Sequence, residues 1–473
     1  MVLRIYNTLS RQVESFIPID DMKVRIYVCG PTVYDYSHIG HARTYLCYDM
    51  IVRYLEYKGY KITYVVNITD VNDKIIARAR ETGQDPLELA AKFENAFYED
   101  MKGLGIRTPD AYPRVTDHIQ DIIRIIDSLI QKGYAYEAEG DVYFHVPRIE
   151  DFGKLSRQNL DEMMDGASIA VEPKKKSPHD FALWKSTQVG EQSWDSPWGR
   201  GRPGWHIECS AMCMKYLGSS VDIHGGGNEL VFPHHENEIA QSEAATGEKP
   251  FVKYWVHTGM LMINSEKMSK SLGNFVTIHD LLKRLEPDVF RLFVLSTHYR
   301  RPVEFTEEGI AQAERALKKI NETRGRLRQI SNDGFQDKSA EVQFQDDIAR
   351  IRKDFVEAMD NDVNTAVALS SLHELVRLAN RIVESGGSRR LAEITLGTIE
   401  EFGRIFGLFQ VGRKDSEMST EAKNLMLERD QARRQKDWNK ADRIRERLKQ
   451  MGVILRDTPR GTEWHIETAP LEE

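Results

Sequence analysis

The chain is 473 residues long, with 41% hydrophobic and 29% charged side chains; this globular balance excludes collagen-like and disordered classes, and the length predicts about three domains. No apolar run reaches the ~18 residues of a membrane-spanning helix, and the opening MVLRIYNTLSRQVESF lacks the basic-then-apolar order of a secretory signal. The formal charge of -8 speaks against nucleic acid as a partner of the whole surface, while leaving room for a local basic patch.

Residues 24–69 read as strand, helix and strand. Val24, Ile26 and Val28 alternate, and Cys29-Gly30-Pro31-Thr32 ends the pattern. Ser37 is the predicted N-cap of a helix whose Ile39, Ala42, Leu46, Met50 and Tyr54 share one face, closed by Lys58-Gly59. Ile62–Ile68 forms the second strand. Such a unit pairs its strands in parallel through a right-handed crossover. A strand end and a helix N-terminus then meet at Cys29–His41, where α/β sheets bind ligands. Residues 85–133 read as helical. Residues 134–200 are turn-rich and read as an insertion carrying Lys174-Lys175-Lys176. A helix (205–217), a strand (220–224), the run Gly225-Gly226-Gly227, a helix (about 234–246) and a strand (254–263) follow. From about 308 to 410, apolar spacings of three and four predict helices throughout. The remainder, 411–473, holds a polar helix (419–450) and strand-like pieces around Val453–Leu455 and Trp464–Ile466. Within 431–460, ten Lys/Arg stand against four Asp/Glu, which fits a solvated helix face or a phosphate-binding surface.

Two short motifs carry candidate chemistry. In His38-Ile39-Gly40-His41 the histidines lie on one face, at a helix end whose free N–H groups favour anions. Gly40 leaves room for a ring or a phosphate beside the backbone. Lys267-Met268-Ser269-Lys270-Ser271 sets two lysines in a Ser/Gly-rich loop suited to clamping phosphates. Each motif alone fits ordinary helix-end histidines or a solvated loop equally well. The four cysteines are Cys29, Cys47, Cys209 and Cys213. A chain this large needs no disulfide staples, which points to the reducing cytoplasm. Cys29 ends a strand, Cys209 lies on a helix, and His234 and Glu238 share a face of another. These are acceptable zinc ligands. By spacing alone Cys213, one turn after Cys209, is an equal candidate, and any of the thiols can simply be buried.

Both motifs, in this order and about 230 residues apart on a βαβ framework, resemble class I aminoacyl-tRNA synthetases. The segments Tyr27–Asp35, Asn67–Lys74, Gly204–Ser210, Asp222–Gly227 and His234–Glu238 resemble cysteinyl-tRNA synthetases. The likeness runs from residue 1 to about 310, and more loosely to the C-terminus. It implies an α/β fold: a Rossmann-like parallel-sheet catalytic domain (1–133 and 201–265) with a connective insertion (134–200). A KMSKS loop with linking helices (266–307), a helical bundle (308–410) and a small anticodon-binding domain (411–473) complete it.

The resemblance further implies one zinc ion per chain on Cys29, Cys209, His234 and Glu238, with Cys47 and Cys213 left out. L-cysteine would be activated by Mg-ATP and passed to the end of tRNA(Cys). A zinc–thiolate bond would separate cysteine from serine and alanine, which shape alone cannot do, so no editing domain is required. His38 and His41 would stabilise the α-phosphate region. Lys267 and Lys270 would hold the departing phosphates. Gly40, Lys270 and Gly225, Gly226 and Gly227 would contact ATP, although the glycine run also fits a tight strand-to-helix turn. Thr69 would bind the substrate amine and Trp205 would wall the pocket, unless Trp205 is a core aromatic. His224 fits a pocket residue or a satisfied core histidine. Arg433, Asp442 and Asp457 are the candidate anticodon readers, and the inserted lysines fit a tRNA contact or an exposed loop. The expected protein is a cytoplasmic monomer without a membrane partner. Two alternatives stand beside this. One is a ligase that joins activated cysteine to an amino sugar, which the basic 431–460 tail argues against. The other is a tRNA-binding paralogue without catalysis, which the intact motifs argue against.

Overall fold

The computed structural model describes residues 2–158, 173–187, 191–263, 266–267, 275–331, 338–409, 420–435, 437–451, 453–458 and 461–466. Two compact units result: Met1–His279 with Thr297–Phe305 and Ala358–Thr365, and Asp280–Ser296 with Thr306–Glu357 and Ala366–Glu473.

In the first unit a hairpin, β1 (Arg4–Asn7) and β2 (Gln12–Ser15), precedes β3 (Lys23–Val28), α1 (Ile39–Tyr57) and β4 (Lys61–Val66). Val24, Ile26 and Val28 are buried as their alternation predicts. β3 pairs in parallel with β4, Ile26 opposite Tyr64, and also with β9 (Val221–Gly227), Tyr27 opposite His224. The sheet order is β10-β9-β3-β4, with β10 spanning Val252–Thr258. The chain therefore leaves β3 towards one edge and returns for β9 on its other side. A crevice opens at the carboxyl ends of strands where such a sheet switches direction.

Several elements differ from the sequence reading. Helix α1 is capped by His38, not Ser37. Nδ1 of His38 accepts from the amides of Gly40 and His41 at 3.1 and 3.3 Å, while the Ser37 carbonyl accepts from Ile278 at 2.8 Å. Helix α2 (Asp73–Thr82) follows β4, and the stretch 85–133 is two helices, α3 (Pro86–Gly103) and α4 (Ile119–Gln131). Pro109 and Pro113 interrupt helix between them, and Ala111 and Arg114 form bridges to Val65 and Ile68 instead. The turn-rich insertion builds a four-stranded antiparallel sheet with the residues just past its predicted end at 200, ordered β5 (Ala135–Ala138), β6 (Asp141–Phe144), β7 (Phe181–Ser186) and β8 (Gly201–Pro203). Strands this short leave too few residues for an alternation to be read.

Helix α5 spans Trp205–Leu217 as predicted, and β9 runs on through Gly227. The glycine run is thus strand, not turn. A Cβ on Gly225 would overlap the Val256 carbonyl and the Tyr48 hydroxyl, so glycine is what lets β9 pack against β10 and α1. A π-helical turn, Val231–His235, leads into α6 (Glu236–Thr246). The predicted strand 254–263 breaks after Thr258, giving β10 and then β11 (Leu261–Ile263). β11 pairs with β12 (Glu266–Lys267) and β13 (Val303–Glu304).

After α7 (Ile278–Leu282), the second unit contains α8 (Pro287–Leu295), α9 (Glu307–Arg328), α10 (Lys338–Asp360), α11 (Thr365–Glu384) and α12 (Arg389–Phe406). Side-chain caps start two of these: Thr306 accepts from Gly309 at 3.1 Å and Ser388 from Leu391 at 3.2 Å. The polar stretch 419–450 is two helices, α13 (Thr420–Arg434) and α14 (Trp438–Gln450), because Asp437 caps the second by accepting from Lys440 at 3.0 Å. A hairpin of β14 (Val453–Thr458) and β15 (Gly461–Ile466) closes the unit. Ala422, Ile444, Leu448, Val453 and Leu455 form a small core that this hairpin shares with α13 and α14. Among the described residues, no helix is long and apolar enough to cross a membrane.

Candidate functional site

Four donor groups converge at the carboxyl end of β3. Cys29 follows that strand because Gly30 leaves no side chain against the Asn67 carbonyl, which a Cβ would overlap. Cys209 comes from α5, His234 from the π-helical turn and Glu238 from α6. Their ligand atoms all lie within 4.8 Å of one another, and every one of these residues is buried. The two sulfurs are 3.8 Å apart, Cys29 Sγ is 3.6 Å from Glu238 Oε1, and His234 Nε2 is 3.0 Å from the same oxygen. Glu238 is held ionised, its pKa lowered to about 2: burial opposes this, but His224 and His234 outweigh it. His234 is raised to about 10 against burial by Glu238 and Cys209. Cys209 is lowered to about 6 by its hydrogen bond with Cys29, again against burial. The quartet thus draws positive charge into the interior, as a metal cation would supply. Cys47 and Cys213 are buried thiols that contribute no donor to it.

Around the quartet lies a shell of histidines that spacing does not announce. His224 Nε2 is 2.9 Å from Glu238 Oε2, and its ring stacks on Trp255 at 4.6 Å. His235 Nε2 is 3.2 Å from Cys29 Sγ. Its Nδ1 lies 2.7 Å from His257 Nε2, and His257 Nδ1 lies 2.8 Å from the Thr8 hydroxyl. Cys29, His224, His235 and Glu238 form a second group with metal-ligating geometry. Of these histidines only His224 is marked by the sequence, through its place before the glycines. His257 stands on β10, which pairs in parallel with the β9 strand that carries His224, and His235 comes from the π-helical turn directly after His234.

Trp205 is not a core aromatic. It is 38% exposed and stacks on His234 at 4.4 Å. Thr69 is buried, and its hydroxyl donates to Glu208 at 3.2 Å. Glu236, between the two helical ligands, accepts from the amides of Gly153, Leu155 and Ser156 at 2.9, 3.1 and 2.8 Å. It ties a turn of the insertion to the helix that carries the ligands.

The HIGH turn has its own geometry. His38 and His41 stack with ring centres 3.9 Å apart. Nδ1 of each accepts a backbone amide, His41 from His38 at 3.3 Å. In the neutral rings the proton therefore sits on Nε2, the ring atom that can donate to an oxyanion. Burial, then the charges of His38 and Lys74, hold His41 well below the usual histidine value, so it is neutral at neutral pH. The chain just after the KMSKS motif is pinned to this turn. Ile39 donates to Val276 at 3.1 Å, and Phe275 meets the His38 ring edge-on at 5.4 Å. Lys267 ends β12; its side chain and all of Lys270 lie outside the described residues. Gly225, Gly226 and Gly227 lie in β9 beside Cys29, whose amide donates to the Gly225 carbonyl at 3.0 Å. In the insertion, Lys174 pairs with Asp141 at 2.8 Å, and Lys176 lies 4.2 Å over the Tyr136 ring.

The candidate anticodon readers lie on three different elements. Arg433 is half-buried on α13, Asp442 is exposed on α14, and Asp457 lies on β14 opposite Thr462, with its side chain outside the described residues.

Known proteins match this chain along its length. The tRNA synthetases class I (C) catalytic domain family matches residues 15–315, the DALR domain 354–410, and the cysteinyl-tRNA ligase anticodon binding domain 415–464. The cysteine–tRNA ligase of Thermococcus gammatolerans is 52% identical over 98% of this chain and 99% of its own. That of Geobacillus thermodenitrificans is 48% identical over 98% of both. Among solved structures, a methionyl-tRNA synthetase of Mycobacterium tuberculosis in complex with methionyl-adenylate has the same fold. Its TM-score is 0.59 at 15% identity, over 81% of this chain and 90% of that one. The anticodon-domain match leaves no place for the amino-sugar alternative. With catalytic and anticodon-binding parts both accounted for, the chain belongs to the cysteine–tRNA ligases, class I aminoacyl-tRNA synthetases that join cysteine to tRNA.

Proposed function

We propose that this cysteine–tRNA ligase selects its amino acid with a zinc ion held by Cys29, Cys209, His234 and Glu238. The observation that carries the reading is the buried quartet of two thiols, an imidazole and a carboxylate. It is supported by the 3.8 Å between the sulfurs, which is about the edge of a tetrahedron with ~2.3 Å metal–sulfur bonds. Such an ion would supply a borderline-soft Lewis acid for the substrate thiolate, for which neither serine nor alanine offers an equivalent.

The rest of the pocket belongs to the protein. Trp205, stacked on His234, closes one side of the quartet against water. Thr69 orients the substrate amine, with Glu208 holding its hydroxyl. The cysteine carboxylate then attacks the α-phosphorus of Mg-ATP, and pyrophosphate leaves. The Nε2–H groups of His38 and His41 meet the charge that grows on the phosphate oxygens. Gly40 and the Gly225–Gly227 backbone let ATP lie close, and Lys267 and Lys270 hold the departing phosphates. In the second step the terminal ribose hydroxyl of tRNA(Cys) attacks the activated carbonyl and AMP leaves. Arg433, Asp442 and Asp457 read the anticodon. The protein works as a cytoplasmic monomer, built from the catalytic halves 1–133 and 201–265, the insertion 134–200, the link 266–307, the bundle 308–410 and the anticodon domain 411–473.

ATP–pyrophosphate exchange tests the reading. Exchange should depend on cysteine, fall with a chelator, return with zinc and be negligible with serine. Cysteine-dependent exchange in protein shown to be free of metal would overturn the zinc assignment. Sedimentation at working concentration checks the monomer.

A further inference from the structure

Two histidines outside the quartet complete a second ligand set. Cys29, His224, His235 and Glu238 place one donor atom each within 4.8 Å of one another, and all four are buried. Cys29 Sγ is 3.2 Å from His235 Nε2 and 3.6 Å from Glu238 Oε1. His224 Nε2 is 2.9 Å from Glu238 Oε2, and His235 Nε2 is 4.0 Å from Oε1. These separations bracket the edges, ~3.3–3.8 Å, of a tetrahedron built on metal bonds of ~2.0–2.3 Å. Both rings are held in place. His235 Nδ1 is engaged by His257 Nε2 at 2.7 Å, and His257 Nδ1 by the Thr8 hydroxyl at 2.8 Å, which leaves His235 Nε2 facing Cys29. Trp255 packs against both, with ring centres 4.6 Å from His224 and 5.0 Å from His235. Outer support of this kind orients metal-bound imidazoles. The two ligand sets meet at Cys29 and Glu238, which belong to both. Glu238 divides its oxygens between them: Oε1 faces His234 at 3.0 Å and Oε2 faces His224 at 2.9 Å.

We propose that Cys29, His224, His235 and Glu238 bind a second divalent cation of the zinc class, joined through the Cys29 thiolate and the Glu238 carboxylate to the zinc of the first quartet. The proposal rests on the zinc reading of that quartet. Two imidazoles, a thiolate and a carboxylate select a borderline-soft ion over magnesium or calcium, which take oxygen ligands. Charge gives the second ion its role. With neutral imidazoles, one dication among two thiolates and a carboxylate leaves a single net negative charge in a buried centre, and the substrate thiolate doubles it. A second dication balances all four anions and removes the cost of that uncompensated charge. The second ion binds after the first and less tightly, because both of its anionic ligands are shared, whereas Cys209 serves the first ion alone.

The test is metal analysis of the full chain after equilibrium dialysis against zinc buffers, first at trace free zinc and then at about 100 μM, a hundredfold above a micromolar dissociation constant. The parent chain should hold one zinc at the lower level and two at the higher. His235→Gln removes a ligand of the second set only and should hold one at both. Cobalt(II) gives a readout that needs no variant. The second cobalt should attenuate the paramagnetic resonance signal of the first, because a shared thiolate couples their spins. In exchange at buffered free zinc, the KM for cysteine should fall about fivefold or more as the second position fills. One zinc at both levels would overturn the proposal and leave the histidines as a hydrogen-bonded shell of the first ion. Two zincs in both parent and His235→Gln, or a cobalt signal that simply doubles, would overturn it as an adventitious ion only. A KM indifferent to the second ion would overturn its role in balancing the substrate thiolate. A parent chain that holds no zinc at either level would overturn the first quartet together with the second, so the two readings fail by different results.

Discussion

The quartet around Cys29 and the groove between α9 and α11 handle charge in opposite ways. In the quartet every donor is buried, and nearly every polar atom has a partner that fixes its position. In the groove Arg326 is half-buried, and Lys319, Arg377 and Arg381 are exposed and have no ionic partner among the described residues. The difference is one of solvation. A small thiol must be told from a near-identical hydroxyl, which requires dry, fixed donors whose desolvation has already been met within the fold. Unpaired cations that stay in contact with water cost the fold little stability.

If that contrast is right, substitutions in the buried centre should act through metal and chemistry, with large effects. Cys209→Ala should remove bound zinc and lower cysteine-dependent exchange by about a thousandfold or more, the several kcal/mol that a catalytic metal contributes. Metal analysis and exchange on the same sample check this. Cys213→Ala, one turn away and equally buried, should keep its zinc; loss of zinc there and retention in Cys209→Ala would reverse the ligand assignment. His41→Ala should lower kcat for exchange by roughly 10²- to 10³-fold, with a smaller change in KM for cysteine, because its Nε2–H acts mainly on charge formed in the transition state. His224→Asn should weaken zinc binding by about 10- to 100-fold in a competitive chelator titration, since it loosens Glu238 rather than removing a ligand.

The smallest effect belongs to a surface network. Asp73 pairs with Lys185 and Arg202. Burial raises its pKa, but the two cations outweigh burial and the net shift is downward. A depressed carboxylate adds stability above its unfolded pKa and loses it as pH falls through the folded one. Asp73→Asn should therefore lower the melting temperature at pH 7 by the equivalent of no more than about 1 kcal/mol, and the difference should vanish well below pH 4. A difference that persists in acid would mean that the side chain acts through packing.

Much of the active centre was legible because short motifs sit at the ends of regular elements. Cys29 after β3 and Cys209 on the 205–217 helix are positioned by local pattern. The outer histidines were not. His257 touches His235, the histidine beside Cys29, from a place on β10 set by a pairing with β9 whose register no local window records. Ser37 and His38 show a subtler limit: both types of side chain can accept a helix-end amide, and the choice was settled by the Ser37 carbonyl bonding to Ile278, far along the chain. The insertion's sheet was missed for want of length, since strands of three to six residues carry too little alternation. The break near Asp437 hid within a run whose helical propensity is high on both sides.

Glu236 sets a limit on how this enzyme can be re-engineered. Its carboxylate gathers three amides of the 153–156 turn, from a helical position two residues after one candidate metal ligand and two before another. The insertion and the metal centre therefore share one turn of helix as a common mounting. A chimera that exchanges residues 134–200 with those of a relative must bring a turn with the same three amides, or else change position 236 with it. Shortening that turn should disturb metal retention before it disturbs any contact with tRNA.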